Sequence, residues 1–154
     1  MPVHARKAGR YADDMLRQTT TALTFEAPTR GLHEITRPVA AWVERSGIAD
    51  GLLTLFVRHT SASLVIQENA DPDVRQDLDR FFARLVPDGD PLFKHRSEGP
   101  DDMPAHVRAA LTAVQLSIPV RDGRMVLGTW QGICLWEHRL QPHRRQVTLH
   151  LLGE

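Results

Sequence analysis

Residues 115–152 read QLSIPVRDGRMVLGTWQGICLWEHRLQPHRRQVTLHLL, and this stretch decides the fold. QLSIPV, RMVLGTW, GICLWEH and RQVTLHLL each have the β-branched and aromatic content of a strand, and the first two are joined by the turn Arg121-Asp122-Gly123. The breaks between the segments are a few residues long. Parallel neighbours need a crossover of about a dozen residues or more, so the segments are expected to pair antiparallel. Strands crowded together late in the chain, behind a mixed first half, indicate an α+β domain with a mainly antiparallel sheet rather than a doubly wound parallel one.

Working back from this stretch, DDMPAH opens a helix near Asp102, with Pro104 in its first turn, expected to run through His106 to about Val114. Before it, PDGDPLFKHRSEGPDDMP is dense in Pro, Gly and Asp, and a loop of this length in a small domain usually has a function. DPDVRQDLDRFFARLVP carries Asp71 as a cap, Pro72 at the first helical position, and Val74, Leu78, Phe81, Phe82 and Leu85 at helical spacing. GLLTLFVRHTSASLVIQE holds two apolar β-rich runs broken at Arg58 to Ser61, so two strands, or one bent strand, are expected with His59 at the break. A further helix is expected from Thr36, with Pro38 in its first turn and Gly47 past its end, and QTTTALTFE suits a first strand at an edge. Residues 1–17 show no strong periodicity and are expected to be a mobile tail. Residues 18–154 then form a single domain.

The chain has 154 residues, 42% of them hydrophobic, enough to bury a core without disulfides. Nineteen basic residues balance nineteen acidic ones, which argues against a nucleic-acid or anionic-membrane partner. The single cysteine, Cys134, has no basic sequence neighbour and reads as a buried inert thiol. With no signal-like N-terminus and no long apolar run, a cytoplasmic protein is expected.

Chemistry concentrates in three segments. His95 and His106 enclose Glu98, Asp101 and Asp102, and two imidazoles with three carboxylates meet the needs of one divalent metal if the loop folds back. Asp102 and His106, four apart, can share a helix face. The plainer alternative is that Asp102 caps the helix while Asp101 and Glu98 are solvated. His59 and Ser61 would share a face of a strand, which allows a serine with its base, although no GxSxG elbow is present. In GTWQGICLWE, Gly128 and Gly132 mark a bulge or a close approach, and Trp130 and Gln131 are candidates to line a pocket; a core or subunit-interface place is the alternative for Trp130 and the expected one for Trp136. Arg139, His143, Arg144 and Arg145 can hold a phosphate or carboxylate, or form a solvated turn. His4, His33 and His150 read as structural.

Three segments, HTSASLVIQENADPDVRQD, HRSEGPDDMPAH and GRMVLGTWQGI with the later Glu137 and paired arginines, together resemble the YjbQ-like family over roughly residues 20–152. This family is described as secondary thiamine-phosphate synthases and was formerly an uncharacterised protein family. The resemblance implies a β-sandwich-like α+β domain with two to three helices that assembles as a homotrimer. It also implies a divalent metal, with zinc expected, at His95 and His106. His59, Ser61, Glu68, Asp102 and Glu137 are implied as catalytic, and Thr60, Gln131, Arg144 and Arg145 as contacts to a small phosphorylated molecule. Where family members carry a cysteine before the glutamate matching Glu137, this chain has Trp136, and His138, Arg139 and Leu140 follow. The expected activity joins a pyrimidine pyrophosphate to a thiazole phosphate. The alternative is a trimeric metal- or small-anion-binding module without a dedicated catalytic role.

Overall fold

The computed structural model describes residues 15–154. The expected tail lies outside them except for its last three residues, and Arg17 already opens the first strand. The elements in chain order are β1 (Arg17–Ala27), β2 (Gly31–Glu34), α1 (Thr36–Ser46), β3 (Gly51–Val57), β4 (Ala62–Glu68), α2 (Pro72–Leu85), α3 (Asp102–Leu111), β5 (Gln115–Arg121), β6 (Arg124–Met125), β7 (Gln131–Glu137) and β8 (His143–Gly153). Among the described residues every strand pair is antiparallel and there are three helices, so the fold is α+β, as the late run of strands implied.

The strands form two leaves. One has the order β1-β8-β3-β5-β6 and the other β2-β7-β4. The alternation along each strand fixes which residues face inward. Leu53, Leu55 and Val57 of β3, with Val147, Leu149 and Leu151 of β8, share one core with Ala62 and Leu64 of β4 and Ile133 and Leu135 of β7. Helix α1 adds Val39 and Val43 to this core and ends at Gly47 in the left-handed conformation, as its position past the last apolar residue suggested. Asp71 caps α2 by accepting from the Asp73 amide, with Pro72 in the first turn.

Three segments differ from their sequence-based expectations, one of them Gly31–Glu34, which forms the strand β2 where no strand was expected. RMVLGTW is a strand only at Arg124–Met125; after it, the Leu127 amide bonds to the Met125 carbonyl and the Gln131 side chain accepts from the Gly128 amide, so the segment satisfies its polar backbone in turns. Helix α3 stops at Leu111 rather than Val114, because Ala113 and Val114 offer their carbonyls to the amides of Leu64 and Val57. The interruption at Arg58 to Ser61 separates two strands, with β3 in the five-stranded leaf and β4 in the three-stranded one. His59 therefore lies where the chain passes between leaves, beside the end of α3. Among the described residues, no helix is long and apolar enough to cross a membrane.

Candidate metal centre and the pocket beside it

Asp102 is the first residue of α3, and its side chain is 2% exposed. A buried carboxylate is costly unless its oxygens are satisfied. Both are: Arg139 donates from Nη1 to Oδ1 at 2.5 Å, while Oδ2 lies 2.8 Å from His95 Nε2 and 3.1 Å from His106 Nε2. Burial alone would raise the Asp102 pKa, but the hydrogen bond from His95 and the positive charge of Arg139 outweigh it and hold the group below its ordinary value.

The far side of the His106 ring decides what the near side can do. Its Nδ1 lies 2.9 Å from the Thr60 carbonyl oxygen, and a carbonyl can only accept, so Nδ1 carries the proton. In the neutral ring Nε2 is then a bare lone pair facing a carboxylate oxygen. Such a juxtaposition is stable only if the imidazole takes a second proton or a cation sits between the two groups. A ring fixed by an N–H to a backbone carbonyl, beside a carboxylate fixed by an arginine, is the usual support of a metal-binding histidine. The three ligand atoms of His95, Asp102 and His106 lie within 4.8 Å of one another. Donors about 2.1 Å from a tetrahedral ion stand roughly 3.4 Å apart, so the cluster matches a divalent ion after small adjustments.

A second polar group lies across the Thr60 peptide. Glu137, the last residue of β7, is fully buried, and both its oxygens accept from Arg145, at 2.6 Å from Nε and 2.6 Å from Nη2. Arg145 Nη2 also reaches Ser61 Oγ at 3.0 Å. His59 Nε2 accepts from the Gln146 amide at 3.0 Å, and burial together with the Arg145 charge lowers its pKa. Arg58, His59, Thr60, Ser61 and Arg145, with Phe56, Val57 and Val114, line an open pocket of about 540 Å³.

Of the residues singled out from the sequence, the structure brings together His95, Asp102 and His106, and places His59, Thr60, Ser61, Glu137 and Arg145 beside them. It separates Glu68, Gln131 and Arg144 from them. Glu68 and Gln131 pair at the opposite end of the β4–β7 ladder from Ala62 and Glu137, six residue steps or about 20 Å away. There Glu68 accepts from the amides of Ala70 and Asp71, tying down the turn into α2, and Gln131 braces Gly128. Arg144 points outward and pairs with Glu26 across the β1–β8 ladder. Ser61 meets Arg145 rather than His59, so the expected serine–base pair does not form. Trp130 is exposed and Trp136 is buried. Cys134 is fully buried, which raises its pKa to about 11 and keeps it a thiol.

The family model described as UPF0047 protein YjbQ-like matches residues 21–154. The chain belongs to the YjbQ-like family. The UPF0047 protein sll1880 of Synechocystis is 53% identical to this YjbQ-like chain over 138 residues, covering 90% of it and 94% of the relative. The UPF0047 protein YjbQ of Escherichia coli O157:H7 is 44% identical over 133 residues, covering 86% and 96%. A YbjQ-like protein of unknown function from Sulfolobus solfataricus superposes with a TM-score of 0.80 at 28% identity, over 91% of this chain and 100% of that one.

Sequence reasoning undervalued two groups in this YjbQ-like fold. Asp101 read as a carboxylate for a metal or a solvated one, and Arg139 as part of a basic cluster for an anion or a solvated turn, yet Arg139 Nε meets Asp101 at 3.0 Å, Nη1 meets Asp102, and Nη2 meets the Glu98 carbonyl at 2.8 Å. The second is His138, fully buried, with Nε2 2.8 Å from Ser63 Oγ and no partner for Nδ1 among the described residues. Its strand periodicity, which continues the outward face of Trp136 and Cys134, is the signal that could have marked it as covered by the helices.

Burial, and then the charges of Arg108 and Arg30, lower the His138 pKa from 6.5 to about 3. The unfolded chain therefore binds the proton first, and stability conferred by the neutral ring is lost as the pH falls below about 6.5, by up to ~1.4 kcal/mol per unit until the folded pKa is reached. In urea titrations of metal-free protein, His138→Gln should lose clearly less stability than wild type between about pH 7 and pH 5. Equal losses in the two proteins would refute this role.

Proposed function

We propose that this protein is a metal-dependent enzyme whose centre is His95, Asp102 and His106, with zinc as the ion. The observation that carries the reading is the His106 ring, held by Thr60 so that its Nε2 lone pair faces Asp102 beside a second imidazole. Two nitrogens and one oxygen suit zinc and leave a coordination position for a substrate or water. A divalent ion bound there supplies Lewis-acid stabilisation of charge on a phosphate or pyrophosphate oxygen. Arg139 holds Asp102 in place, Thr60 orients His106, and the pocket lined by His59 and Arg145 is available to a phosphorylated substrate. The reaction we propose is of the thiamine-phosphate synthase type, joining a pyrimidine pyrophosphate to a thiazole phosphate, with pyrophosphate leaving.

One observation favours a second reading, a metal- or anion-binding module without a catalytic role. Glu137, the carboxylate nearest the pocket, has both oxygens occupied by Arg145, and Glu68 lies at the other end of the sheet, so neither is free to act as an acid or base.

The homotrimer and the cytoplasmic location belong to the same proposal. The outer face of the five-stranded leaf leaves Leu52 47% and Phe56 45% exposed, and apolar side chains grouped on one face favour burial against another copy. Light scattering on the purified protein should give three times the chain mass, with Phe56→Glu shifting it toward monomer; a monomeric wild type would exclude the trimer.

Elemental analysis after dialysis should find about one zinc per chain in wild type, and a strong loss in both His95→Ala and His106→Ala. With the metal in place, thiamine phosphate should form above the His106→Ala background. Bound zinc without product would leave the binding module, and a wild type free of metal would overturn the centre itself.

A further inference from the structure

His95 belongs to the wall of a second cavity. The loop between α2 and α3 is drawn into a ring over residues 89–100. The Gly89 amide donates to the Pro100 carbonyl at 2.9 Å, and Gly89 and Gly99 turn the chain at the two ends with φ of 71° and 102°. A loop closed in this way is packed by its own side chains. Against the first turn of α3 it partly encloses a hollow of about 250 Å³, lined by Phe93, His95, Arg96, Pro100, Met103 and Pro104.

The wall offers carbon because its polar groups are spent elsewhere. Phe93 and Met103 are half-buried, Pro104 is buried, and Pro100 and Pro104 carry no N–H. The carbonyls of Asp90, Arg96 and Pro100 accept from the amides of Phe93, Gly99 and Gly89, and the Phe93 carbonyl accepts from Arg96 Nε. Arg96 also donates from Nη2 to the Pro91 carbonyl, and Asp90 Oδ1 accepts from the Leu92 amide, so both charged side chains are held to their own loop. His95 directs Nε2 at Asp102, 2.8 Å away. A polar guest would give up its hydration here for few partners, whereas an apolar guest loses nothing. A cavity of about 150 Å³ holds benzene, so this one has room for such a ring with a short substituent. It falls short of the roughly 300 Å³ at which pockets for whole drug-sized ligands begin, so it takes one end of a molecule.

We infer that this cavity is a binding site for a phenyl-sized hydrocarbon group at one end of a small molecule. It is distinct from the pocket of His59 and Arg145, with which it shares no lining residue. His95 forms part of its wall and also meets Asp102, so a ligand seated by its apolar end has its other end directed toward the His95–Asp102–His106 cluster. That orientation rests on the metal reading, whereas the seat itself needs no ion. The class is hydrocarbon rather than heterocycle, because ring nitrogens buried against Phe93, Pro100, Met103 and Pro104 would lose water without gaining a hydrogen bond.

The test is an NMR titration of EDTA-treated full-length protein, ¹³C-labelled at the methionine methyls, with benzyl alcohol. The Met103 methyl should shift saturably with a Kd of about 1 mM, ordinary for a ligand of this size. Met125, on β6 and packed against the core, should not move and reports that the fold is intact. Pyrimidin-5-ylmethanol, which has the same shape with two ring nitrogens, should bind about tenfold more weakly. Phe93→Asp should weaken benzyl alcohol at least about tenfold with Met125 unchanged. If that substitution disturbs Met125, the wild-type Met103 shift and the matched pair of ligands decide. No saturable Met103 shift, a pyrimidine that binds as well as the benzene ring, or full affinity in a folded Phe93→Asp would overturn the assignment. Because the ion is removed throughout, the outcome is independent of whether the metal centre is real.

Discussion

The site depends on one buried carboxylate. Asp102 is removed from water at the start of α3, where an uncompensated charge would be strongly destabilising, so each neighbour that satisfies it is fixed in turn. Arg139 can reach it only from the turn after β7, and the same guanidinium also holds Asp101 and the Glu98 carbonyl. The long Pro- and Gly-rich loop, the first turn of α3 and the exit of β7 are thereby tied into one unit. His95 is carried by that loop and His106 by the helix, and they converge on the same oxygen because the loop and the helix are joined at Asp102.

A second buried pair does the same for the two leaves of the sheet. Glu137 ends β7 in one leaf and Arg145 begins the inward alternation of β8 in the other, so their bidentate contact spans the core edge where β3 hands the chain to β4. His59 and Ser61 lie at this crossing, which is why a residue pattern that reads as a catalytic serine pair has a different physical use. Ser61 accepts a hydrogen bond from a structural arginine, and His59 accepts one from a backbone amide. The pocket is the gap left on the solvent side of that brace.

The elements whose identity depends on local chemistry were legible from the sequence. Asp71-Pro72 and Gly47 mark real helix ends, the apolar alternation of β8 places Val147, Leu149 and Leu151 in the core, and the histidines bracketing Asp102 meet as their spacing allowed. What was not legible depends on register between distant strands. Glu68 and Gln131 oppose each other because β4 and β7 pair antiparallel, and that pairing carries them about 20 Å from the residues their motifs suggest they would join. Arg144 and Arg145 are adjacent in sequence but lie on opposite faces of β8, and only the inward one can reach Glu137. The role of Arg139 was hidden for a similar reason: its partners lie 37 and 38 positions away in a loop whose path no local pattern specifies.

The central claim is that the Thr60 carbonyl fixes the tautomer of His106 and so presents Nε2 to a metal. The most direct test is a ¹⁵N spectrum of the imidazole nitrogens, assigned with His106→Gln, before and after one equivalent of zinc. The account requires Nδ1 of His106 to carry the proton in both states and the Nε2 resonance to move on addition of zinc. A His106 protonated at Nε2 in the zinc-loaded protein, or an Nε2 resonance that zinc leaves unchanged, would contradict it.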